Sequence, residues 1–155
     1  MIVHVPIGLA VAIAVAAPAV LIMWTRGILP RRAWWLAALL QTVLVAGAVA
    51  AVQTGELAER TARRSVGSEL VDQHEDMGTA FSVLAGGGLL LFLGAAVLSD
   101  EKRARQLAMA AVVLAEVQLA GAVVASHAGG LLVWGPDGLL KAETADATPT
   151  PNRAD

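Results

Sequence analysis

The sequence predicts an all-α fold: an integral membrane, up-and-down four-helix bundle. Three observations predict it. Four stretches, at about 2–24, 33–52, 77–98 and 107–126, reach the roughly 20 apolar residues that cross a bilayer. Of the 155 residues, 57% are hydrophobic and 15% charged, where soluble chains have roughly 45–50% and about 25%. The links at 25–32 and 99–106 are short, which makes neighbouring helices antiparallel.

The first span carries no basic residue at its start and is full length. It therefore reads as a retained helix and not as a cleaved signal peptide. All four spans are apolar on every side, so they pack on one another within lipid. Gly47, Gly86, Gly87, Gly88, Gly94 and Gly121 are the small residues that let membrane helices approach closely. Trp24, Trp34 and Trp35 stand at span edges, where interfacial aromatics are expected. The stretch 53–76 reads as a polar loop. The length predicts one domain, at 1–140. The tail 141–155 has no apolar period and is expected to be disordered.

Composition excludes several functions. A net charge of −2 gives no reason to expect nucleic acid. With no cysteine, disulfides, thiol catalysis, iron–sulfur clusters and covalent haem attachment are excluded. Serine-hydrolase, Walker and zinc-protease motifs are missing, and Gly86-Gly87-Gly88 sits inside an apolar span, not between a strand and a helix. Basic residues predict orientation. Arg26, Arg31, Arg32, Lys102, Arg103 and Arg105 crowd the two short links. Those links are therefore expected in the cytoplasm, with both termini and the 53–76 stretch outside a bacterial inner membrane.

The three histidines carry the functional expectation. His4 opens the first span, His74 precedes the third and His127 follows the fourth. In an up-and-down bundle these ends share one face. His4 and Gly8 repeat as His74 and Gly78, and positions i and i+4 lie on one side of a helix. The repeat suggests two copies of one hairpin, with the first and third helices diagonal and their histidines facing each other. A glycine one turn deeper would then clear space for a flat macrocycle. Such paired imidazoles suit haem b. His127 has three open roles: substitute ligand, contact to a haem propionate, or part of a separate quinone or metal site. Arg63 and Arg64 are candidate propionate partners, since guanidinium matches carboxylate; a solvated loop face explains them as well. The other cofactor option is zinc or copper, held by the imidazoles with Glu56, Asp72 or Glu75.

Glu116 lies mid-span, where an ionisable group marks function by default. It stands eleven residues before His127, about three turns, hence on the same side. It reads either as a proton or quinone contact or as a carboxyl bonded to Gln41 or a backbone carbonyl.

Three motifs also carry a resemblance. Val3-His4-Val5-Pro6-Ile7-Gly8-Leu9 resembles the V-H-F-P-I-A-L opening of an uncharacterised bacterial four-helix membrane domain. His74-Glu75-Asp76-Met77-Gly78 is similar to its H-R-W-L-G, and the stretch from Ser126 to Gly135 to its T-H-x-G-G-x-L-V-x-G ending. Relatives of that domain occur fused to c-type cytochrome or Rieske modules. The resemblance thus implies redox work in a respiratory or photosynthetic membrane, beside a larger complex, a c-type cytochrome or a quinone. Two departures stand out. Relatives often carry a further His-Pro upstream, which leaves open whether His4 is the sole ligand candidate on the first helix. Asp76 replaces a bulky aromatic, which opens the surroundings of His74 to water or a partner. The resulting expectation is an electron-transfer or accessory subunit with haem ligands His4 and His74, more than a stand-alone enzyme. The alternatives are a cofactor-free structural subunit or a His/carboxylate metal-binding membrane protein.

Overall fold

The structure, a computed structural model, describes residues 4–66 and 68–135. Four helices fill them: α1 at His4–Thr25, α2 at Trp34–Val66, α3 at Ser68–Val97 and α4 at Glu101–Trp134. All four are long and apolar enough to cross a membrane, so this is a multi-pass membrane protein. α1 packs on α2 and α4, and α3 packs on the same two helices. α1 and α3 therefore stand on a diagonal.

Four of the span boundaries differ from those read off hydropathy, among them both ends of α4, which begins at Glu101 and ends at Trp134 against the expected 107–126. The 53–76 stretch is not a loop: α2 runs through Val66 and α3 begins at Ser68. Glu, Leu, Ala and Arg dominate 56–64, and these residues favour helix with or without lipid. At about 1.5 Å per residue, the 22 residues of α1 span about 33 Å. The 34 residues of α4 span about 51 Å by the same rise. A bilayer core is about 30 Å thick, so α2, α3 and α4 project beyond it at the end that carries the histidines. The tail 141–155 lies outside the described residues.

The opposite end, with the short links, is tightly closed. Gly27 adopts a positive φ of 71°. There the Gly27 amide donates to the Trp24 carbonyl and the Ile28 amide to Met23, a Schellman stop for α1. Asp100 caps α4 by accepting from the Arg103 amide at 3.0 Å, satisfying a free amide of the first turn. Arg31 reaches across to donate to the carbonyls of Ala95, Ala96 and Leu98, so a cation sits at the negative end of α3. The Trp24 indole donates to Glu101 at 3.1 Å. The Trp34 indole is fully buried, donates to the Phe92 carbonyl at 3.0 Å and stacks on the Phe92 ring. Trp24 and Trp34 are thus core residues, and of the three edge tryptophans only Trp35 points outward.

The core between these helices is made largely of alanine. Ala104, Ala108, Ala111, Ala115, Gln118 and Ala122 form the buried side of α4, at alternating spacings of four and three. Small side chains at this period bring the axes together. At mid-depth Gln41 and Gln118 are both buried. Gln41 donates to Gln118 Oε1 at 3.1 Å and to the Ala85 carbonyl at 2.9 Å. Gly88 makes room for this pair: a Cβ there would overlap Gln118 Nε2 and lie 3.0 Å from Gln41 Nε2.

Candidate functional site

All three histidine-bearing positions lie toward one end of the bundle, as up-and-down topology requires. They differ in local setting. His74 is not the first residue of its helix but sits two turns into α3. It is half-buried, and its ring rests against α4 at Gly129. A Cβ on Gly129 would lie 2.9 Å from His74 Cε1 and 3.5 Å from Nδ1. Only glycine gives the ring that seat. Its Nδ1 is buried and has no hydrogen-bond partner among the described residues. Unpaired buried nitrogens are rare in proteins, since each forgoes the bond it would make with water.

His127 lies inside α4, two turns before its end, and is exposed. Two residues separate it from Gly129, which turns it roughly 200° around the helix. It therefore faces away from His74. It borders an open groove of about 590 Å³ with Ser126, Leu131 and Trp134. His4 begins α1; its side chain lies outside the described residues. Gly8, one turn on, is exposed with nothing within 4 Å. Gly78 faces Val52 of α2 at 4.0 Å. The two glycines therefore do not clear a shared space across the bundle. The His-x-x-x-Gly repeat is a repeat of spacing, and the glycine notch at this level is Gly129.

The surrounding charges are engaged with each other. Arg63 pairs with Asp72 at 2.5 Å and with Glu75 at 3.4 Å, tying the projecting parts of α2 and α3. Arg64 is exposed. Glu56 is exposed and borders a groove of about 410 Å³ between α2 and α3, near Gln53, Thr79 and Ser82. Among the described residues no three His, Asp or Glu side chains come together to hold a metal ion. Asp72 and Glu75, both within two residues of His74, face Arg63 instead.

Glu116 is not a buried acid. It is exposed on the outer side of α4, while Gln118 two residues on is buried. Gln41 bonds Gln118, so the alternative of a Glu116–Gln41 bond is replaced by a glutamine pair. Sequence reasoning missed three working residues. Gly129 stood in the Gly-Gly of the third motif without a role. Gln118 carries no motif, and Arg31 enters the sequence reading only as a topology signal. The alternating alanine spacing of α4 was the signal that places Gln118 inward and Glu116 outward.

A half-buried imidazole with one unpaired nitrogen, at the end of a membrane bundle, fits a ligand for haem iron. His127 does not face the same space. The class defined by fold and geometry is a multi-pass four-helix membrane bundle with a polar, histidine-bearing end. No family model, curated protein or solved structure matches the chain.

Proposed function

We propose that the protein is a haem b-binding electron-transfer subunit of a bacterial inner-membrane redox complex, with the histidine-bearing end outside. His74 is the proposed ligand on α3 and His4, on the diagonal helix α1, the proposed second. Haem held by His74 and His4 would supply reversible one-electron transfer. The observation that carries the reading is the unpaired His74 Nδ1, held against Gly129. The ring rests on Gly129, and the core of the bundle is lined largely by alanine. Arg64 is exposed in the same projecting region and would suit a propionate, whereas Arg63 is already paired with Asp72 and Glu75. The partners proposed are a quinone, within the membrane, and a c-type cytochrome at the outer surface.

A second reading is favoured by the alanine-lined centre, which brings the helices close together at mid-depth. It is a cofactor-free structural subunit of a larger membrane assembly. The absorption spectrum of the purified protein decides between them. A Soret band with sharp α and β bands on reduction is the expected result. A featureless spectrum from protein made with ample haem supply would reject the haem reading in favour of the structural subunit.

A further inference from the structure

The outer side of α4 carries an arrangement that the proposed haem site does not use. Val113, Glu116, Ala120, Val123, His127 and Trp134 are all exposed on it. The first five recur at alternating spacings of three and four, and Trp134 follows one heptad later. This is the period of a left-handed helix pair. Beyond Arg105, Glu116 and His127 are the ionisable side chains of α4, and both fall on this one stripe. Among the described residues Glu116 has no hydrogen-bond or ion-pair partner. A lone carboxyl turned to lipid at mid-span is costly, and such groups ordinarily have a partner in the membrane.

We infer that this stripe is the surface through which two copies of the chain pair in the membrane, α4 against α4, with Glu116 of each copy bonded to Glu116 of the other. Both copies share one orientation in the bilayer, so the pair is parallel and twofold. Each stripe position then meets its own counterpart. Two carboxyls that meet with a proton between them satisfy each other, one donating and one accepting. Ala120, one turn away on the stripe, lets the backbones approach. Among the described residues no Lys or Arg lies at the depth of Glu116 on any of the four helices, so no face of a second copy offers the carboxyl a cation. His127 of the two copies would meet about three turns nearer the outer end.

The chain contains no cysteine, so single introduced thiols report on this surface cleanly. Val113→Cys and Ala120→Cys lie on the stripe. Val15→Cys on α1 and Val83→Cys on α3 replace equally exposed valines elsewhere. Oxidation in native membranes should give a product of about twice the 15.9 kDa chain mass at positions 113 and 120 and none at 15 and 83. With the thiol at 120, Glu116→Gln should retain the product, because paired amides also bond. Glu116→Leu should reduce it roughly tenfold, the order that interhelical hydrogen bonds reach in membranes. Glu116→Lys should abolish it, and co-expression with a chain retaining Glu116 should restore a mixed pair, which also shows that the Lys variant folds. No product at 113 and 120, equal product at all four positions, a product with the mass of a different protein, or indifference to Glu116→Lys would each overturn the inference.

Discussion

The two ends of the bundle are built in opposite ways. At the link end polar side chains reach across helices, Arg31 to the carbonyls ending α3, Trp34 to the Phe92 carbonyl and Trp24 to Glu101, and Arg105 pairs with Glu101 along α4. At the histidine end the side chains are left open. His74 has a buried nitrogen without a partner, His127 and Glu56 border grooves, and Arg63 forms its ion pairs close to solvent. Buried polar groups stabilise a fold when fully bonded and weaken it when they are not. The cross-helix bonds of the link end and of the glutamine pair hold the four helices in place. Each of these two places, like His74, also keeps one buried polar atom without a partner among the described residues, Arg31 Nε and Gln41 Oε1.

Substitutions can break or sharpen that contrast. The largest effect is expected at Gly88, under the glutamine pair. Gly88→Val forces Gln41 and Gln118 apart and should cost about 1–3 kcal/mol or more, as overpacking does. The neighbouring Gly87 has nothing within 4 Å, so Gly87→Val should stay within about 0.5 kcal/mol. Reversible unfolding in mixed detergent micelles measures both, and equal losses would contradict the packing described for Gly88.

The next comparison sets one arginine from each end side by side. Arg31→Ala strips a charged donor from the carbonyls that end α3 and should cost about 1–3 kcal/mol. Arg63→Ala removes ion pairs near water, which are worth about 1 kcal/mol or less. Arg63→Ala proving the more damaging would reverse the assignment of the stabilising end.

The smallest change in stability is expected at Gly129. A Cβ there crowds His74 Cε1 at 2.9 Å, so Gly129→Ala must shift the ring by a few tenths of an ångström. The imidazole resonances of His74 should move while the unfolding midpoint stays within about 1 kcal/mol of the parent. Unchanged resonances would show that the ring does not rest on Gly129.

The four helices were legible because each carries an apolar run as long as a bilayer is thick. Their true ends were less so. Hydropathy stops where lipid stops, whereas α2 continues through 57–64 and α3 covers 69–76 on helix-forming polar residues. Faces were harder still. Spans that are apolar all round give no contrast between core and lipid, so Glu116 looked buried. Only the spacing of Ala104, Ala108, Ala111 and Ala115 marks the inner side of α4. The shared end of the three histidines followed from topology. The direction of each ring did not, since it depends on rotation about helix axes that the sequence pattern leaves undetermined. Gly8 and Gly78 illustrate this, with one open to the outside and the other against Val52.

The proposed haem site includes His74 and leaves out His127. Haem content per chain of the purified His74→Ala and His127→Ala proteins, prepared in parallel with the parent, tests this directly. His74→Ala should lose its haem while remaining folded in detergent. His127→Ala should keep a full complement. Full haem retention in His74→Ala, or its loss in His127→Ala alone, would contradict the assignment.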